Sequence, residues 1–149
     1  MVTVRFDGQT VRTKTDGKGQ WKAWLKPMKA DSTGRDLQVT SGEESFTIHN
    51  VLVGEVWFSD GQSYMGYTVR GMANRLPERK ALADAAELPE FRYRKINEKD
   101  SLAPKDDITG GSWLVYSPKI VQHFSGVGFI FARGLHIGLK VFIGIIDCS

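Results

Sequence analysis

Short alternating runs open the chain. In "VTVRF" the valines at positions 2 and 4 face one way and Thr3 and Arg5 the other, the period of a half-buried strand. "DGQ" turns, and "TVRTKT" alternates again. "DGKG" is a second turn. "QWKAWL", "DLQVT" and "SFTIHNV" follow, the last two across "SGEE". Four or five strands with Asp-Gly and Ser-Gly punctuation predict a small antiparallel sheet or a piece of a sandwich over residues 1–50.

The pattern changes at Val51. "VLVGEVWF" is almost unbroken in its apolar character, as expected of a strand covered on both faces. It ends abruptly in the small and polar "SDGQS". "YMGYTVRGMANRL" reads as irregular or partly helical. "PERKALADAAEL" predicts a helix with Pro77 in its first turn, closed by Pro89. "EFRYRKIN" alternates as a strand, and "EKDSLAPKDDITGGS" is a polar loop. "SPKIVQHFSGVGFIFARGLHIGL" predicts one helix, with Ser117 as N-cap and Pro118 behind it. "KVFIGIID" is a last buried strand.

Strand, helix, strand, helix, strand from residue 51 onward is the order of an open parallel α/β sheet. Residues 51–58, 91–96 and 141–146 are therefore expected as parallel neighbours. The expected division is a β accessory segment, 1–50, and an α/β part, 51–149. Both ends read as cut: the chain starts inside a strand pattern and stops just after "VFIGII". The strand at 141–146 is then expected to present an open outer edge.

Composition narrows the class. Of 149 residues, 41% are hydrophobic, enough for a real core. Twenty basic residues face 17 acidic ones, too even a balance to indicate nucleic acid. "FRYRK" interleaves aromatics and cations, but strand alternation accounts for that. The most apolar region, 127–146, contains Arg133, His136 and Lys140 and does not read as a membrane span. No basic and apolar leader precedes the first strand. Cys148, the single cysteine, excludes an internal disulfide. No Cys/His cluster has zinc spacing, and Asp106–Asp107 reads as an exposed loop pair, so no metal or other cofactor is expected. Gly126 and Gly128 lack the third glycine of a dinucleotide loop.

The break after "VWF" carries the candidate chemistry. Open α/β sheets bind ligands at the carboxyl ends of their strands. Ser63 follows such an end, and Gly61 lets the backbone bend there. A helical turn starting just after Ser63 would offer free N–H groups to an oxyanion. A turn serine that merely caps a short helix remains the alternative. His49, His123 and His136 each read as structural or solvated.

"NVLVGEVWFSDGQSYM" resembles the block around the active serine of the sialate O-acetylesterase family, within the SGNH hydrolases, where an apolar "V-x-x-G-[ED]-V-W" strand runs into "S-G-Q-S-N-M". "VTVRFDGQTVRTKTDGKGQWKAWLKPM" looks like the accessory β segment that precedes that hydrolase domain. "FSGVGFIFARGLHIGLKVFIGIIDCS" is similar to the helix and strand leading to the family's second block. The resemblance implies the first half of an SGNH-type, flavodoxin-like α/β domain behind an antiparallel β segment. It also implies a serine esterase that removes acetyl groups from sugars. Ser63 would be the nucleophile, and its N–H an oxyanion donor. Val56 and Trp57 would anchor the strand, Gln62 would shape the turn, and Tyr64 would line the mouth of the site.

Tyr64 stands where the family has asparagine, Asp60 where it has a small residue, and Phe142 where it has proline. The family's base histidine lies in a "D-x-x-H", which this sequence lacks. The alternative is a non-catalytic carbohydrate-binding or interaction protein on a degenerate esterase fold. The implied partner is an O-acetylated sugar or glycan, with no nucleic acid and no membrane. The compartment stays open, the resemblance implying a secreted, periplasmic or lysosomal one.

Overall fold

The computed structural model describes residues 1–75, 91–96, 103–104 and 111–149, arranged as two compact units, Met1–Val53 and Gly54–Ser149. The helix expected from Pro77 lies outside the described residues, as does most of the polar loop before Gly111.

The first unit is an antiparallel sheet of β1 (Val2–Phe6), β2 (Gln9–Thr13), β3 (Asp31–Ser41) and β4 (Glu44–Val53), in the order β2-β1-β3-β4. Asp7 and Gly8, both at positive φ, make the two-residue turn between β1 and β2. Val2, Val4 and Val39 form the core, with Ala23 and Leu37 packed on it. Residues 20–25, expected as a strand, form none. The Gln9 side chain satisfies Lys26 instead, Oε1 accepting its N–H at 2.7 Å and Nε2 donating to its carbonyl at 3.3 Å. Pro27, next in line, has no N–H for a ladder.

The second unit is built on β5 (Glu55–Ser59), β6 (Phe91–Lys95), β7 (Leu114–Val115) and β8 (Ile143–Asp147), in the order β5-β8-β6-β7. β5 and β6 both run parallel to β8, and β7 is antiparallel to β6. The three long strands are thus parallel neighbours, as their apolar runs predict. β8 is flanked by β5 and β6, however, so the outer strands among the described residues are β5 and β7 and not the strand at 141–146.

The apolar run at 51–58 is not one strand. Its first three residues end β4, and Gly54 separates them from β5. A Cβ at Gly54 would stand 2.3 Å from the Phe142 carbonyl oxygen, which accepts the Glu55 N–H at 3.0 Å. Nor is β5 covered on both faces: Val56 is 54% and Phe58 72% exposed.

The helix expected from Ser117 is two helices. The Ser117 hydroxyl caps α2 (Pro118–Val121), accepting from the Ile120 N–H. Four residues beyond α2, Ser125 caps α3 (Gly126–Leu139) through the Gly128 N–H. The short α1 (Val69–Arg75) is tied to this junction. Its Val69 and Arg70 N–H groups donate to the carbonyls of Phe124 and Gln122. α3 covers one face of the sheet, packing Phe129 and Ala132 among Phe91, Tyr93, Ile143 and Ile145.

Ile143 is fully buried at the centre of this cluster. Ile143→Ala removes three carbons and leaves a cavity on the central strand. It should destabilise the second unit by about 2–5 kcal/mol, read from urea unfolding.

Candidate functional site

The parallel strands β5, β8 and β6 end together at Ser59, Asp147 and Lys95. The chain leaves β5 there and makes the turn that carries Ser63. Asp60 Oδ1 accepts the Gly61 N–H at 2.8 Å, and the Gln62 carbonyl accepts the Met65 N–H at 3.1 Å. Gly61 has φ +146°, and a Cβ there would lie 2.7 Å from Met65 Cγ.

Ser63 has φ +40°. Among the described residues, Asp7, Asn50 and Lys140 are the other non-glycines at positive φ. Asp and Asn tolerate that region, and Lys140 is the left-handed cap that ends α3. Ser63 has neither reason. A non-glycine held there costs on the order of 1–3 kcal/mol, and such strain gathers at functional positions. A strained, exposed turn after a strand is also how serine hydrolases of another fold present their nucleophile. Ser63 is exposed, and among the described residues nothing hydrogen-bonds its hydroxyl. Tyr64 beside it is 84% exposed, its carbonyl accepting the Tyr67 N–H at 3.3 Å.

No helix starts just after Ser63. α1 begins at Val69, and its first N–H groups are bonded to the α2–α3 junction. Among the described residues the Ser63 N–H has no hydrogen-bond acceptor. Val56 and Trp57 are half-exposed. Trp57 meets Phe131 of α3 edge-on at 5.3 Å, and Val56 lies over Gly144.

No histidine hydrogen-bonds Ser63. His49 Nδ1 lies 3.0 Å from Asp36 Oδ1 in the first unit. His136 Nδ1 donates to the Val141 carbonyl at 2.8 Å, and its ring meets Phe91 edge-on. His123 is exposed between α2 and α3. Among the described residues, no group of three His, Cys, Asp or Glu could hold a metal, and no helix is long and apolar enough to cross a membrane.

Sequence reasoning missed Asp147, which is 2% exposed at the carboxyl end of β8. Its carboxylate accepts from the Tyr93 hydroxyl and from the Ser149 N–H and hydroxyl, with Lys95 Nζ at 3.6 Å. Burial, reinforced by this carboxylate, pushes the Tyr93 phenol well above its ordinary range, so it stays a donor. The only signal in the sequence was an aspartate ending an apolar strand.

No family model matches the chain. It is 32% identical over 139 residues to the sialate O-acetylesterase of Mus musculus, covering 87% of this chain and 25% of that protein. The Homo sapiens sialate O-acetylesterase is 27% identical over 162 aligned positions, covering 99% of this chain and 30% of its own length. A crystal structure of a carbohydrate acetylesterase from Xanthomonas citri superposes with a TM-score of 0.88 at 31% identity, over 98% of this chain and 33% of that one. The chain thus spans about a quarter to a third of the length of these relatives. Nearly its whole length aligns, through both the antiparallel and the parallel sheet, and it is similar to one part of the sialate O-acetylesterases and of this carbohydrate acetylesterase.

Proposed function

We propose that the natural polypeptide containing these residues hydrolyses O-acetyl esters of sugars, with Ser63 as the nucleophile. The observation that carries this reading is the left-handed backbone of Ser63 on an exposed turn at the carboxyl edge of the parallel sheet. The Ser63 Oγ attacks the acetyl carbonyl carbon, and its proton passes to a general base. The carbonyl oxygen takes the negative charge, facing the Ser63 N–H as one donor. Collapse expels the sugar hydroxyl and leaves an acetyl ester on Ser63, which water then cleaves to acetate.

The test is covalent. A fluorophosphonate should label Ser63 of the natural polypeptide, as read by peptide mass, and labelling should vanish in Ser63→Ala. Labelling that persists in that variant would refute the assignment.

A second reading is a carbohydrate-binding protein without chemistry. It is favoured by the lack of any histidine bonded to Ser63 and by Tyr64 beside it. The two readings separate at Tyr64. If the site is catalytic, Tyr64→Asn should raise kcat/KM for an acetylated sugar by opening the approach to Ser63. Sugar binding that weakens in Tyr64→Asn, with no hydrolysis by either form, would instead support binding through the phenol ring.

A further inference from the structure

Asp147 is costly where it stands. Taking a carboxylate out of water costs several kcal/mol unless partners repay it, and an apolar residue in such a place is often as stabilising or more so. Here both oxygens are used. Oδ1 accepts the Ser149 N–H at 2.9 Å and the Ser149 hydroxyl at 2.7 Å. Oδ2 accepts the Tyr93 hydroxyl and faces Lys95 Nζ at 3.6 Å. Tyr93 is itself held, its ring stacked on Phe124 at 3.7 Å.

The backbone around the carboxylate is fixed on both sides. The Cys148 N–H donates to the Ser59 carbonyl at 2.8 Å, and the Asp147 carbonyl accepts the Ile96 N–H at 2.9 Å. Ser59 is the cross-strand partner of Asp147 and the last residue of the strand that leads into the Ser63 turn. The two chain segments leaving β5 and β8 therefore depart side by side, one carrying Ser63 and the other clamped by Asp147.

We propose that Asp147 is a positioning residue for the reaction at Ser63. It sets the path of the backbone leaving β8 and keeps that backbone in register with the serine turn. The proposal rests on reading Ser63 as the nucleophile. Misplacement of about 1 Å in such a site can cost on the order of 10²-fold in rate.

The test uses the natural polypeptide carrying Asp147→Asn or Ser149→Ala. An amide nitrogen cannot accept, so Asp147→Asn loses one side of the clamp. Ser149→Ala removes only the hydroxyl donor and is the milder variant. Two quantities are read: kcat and KM on an acetylated sugar, and the alkylation rate of Cys148 followed by peptide mass. Asp147→Asn should lower kcat by about 10²-fold with KM within about twofold. It should speed Cys148 alkylation by about tenfold, as one lost charge-assisted hydrogen bond frees the local chain. Ser149→Ala should move both in the same direction by less. Folded variants with unchanged kcat overturn the proposal. So does a fall in kcat that only tracks loss of folded protein. If Ser63→Ala keeps full activity, the nucleophile reading fails instead, and Cys148 alkylation still reports whether Asp147 clamps the chain.

Discussion

Alanine at Ser63 will cut hydrolysis of acetylated sugars by the natural polypeptide by about 10⁴-fold or more. Loss of a serine nucleophile costs on the order of 10⁶-fold in kcat in a well-studied protease, because no other group then forms the covalent intermediate. Residues 1–149 expressed alone should be as inactive as that variant. A serine hydroxyl is a weak nucleophile until a base takes its proton. Among the described residues no base is bonded to Ser63. General-base help is worth ~10²–10⁴-fold, and each missing oxyanion donor a further ~10²–10³-fold. Both forms are to be assayed on p-nitrophenyl acetate beside their Ser63→Ala controls. Turnover by residues 1–149 that disappears in Ser63→Ala would overturn this expectation. It would point to exposed His123 as the base.

The place of Ser63 was legible because composition changes sharply there. A bulky apolar strand followed by "SDGQS" marks a strand end wherever it occurs. The left-handed backbone of Ser63 was not legible, since serine has no local preference for it; the surrounding turn imposes it. Hydrophobic periodicity showed that residues 51–58 are extended, but not that they serve two sheets. An apolar run looks the same on either side of Gly54, and only the approach of Phe142, far along the chain, requires a break there. The α2–α3 break did leave a sign, a second serine followed by glycine, masked by the apolar residues around it. β7 is two residues long and too short for any period to show. Asp147 was hidden for a different reason. Its principal partner, Tyr93, lies 54 residues upstream, so its role exists only once β6 and β8 have paired.

The exposed flank of β5 leads to the other large effect. Residues 1–149 expressed alone should associate at micromolar concentration. β5 is an edge strand of the sheet, and its five residues, "EVWFS", carry charge only at Glu55. Natural edges are protected by lysine, proline or a covering element, since unpaired N–H and C=O groups template further pairing. The adjoining sheet face adds to the drive. Val56 and Phe58 share it with Gly144 and Ile146 by register, and the two large side chains are 54% and 72% exposed. Covering each would contribute roughly 1–2 kcal/mol on top of any new backbone hydrogen bonds. Val56→Lys with Phe58→Lys places two charges on that face and should turn large assemblies into monomers, read by light scattering. Ile137→Lys is the control. Ile137 is an apolar residue 48% exposed on α3 and not on a strand, and charge there should change little. Association that survives the paired lysines but yields to Ile137→Lys would move the sticky surface from the β5 edge to the helix.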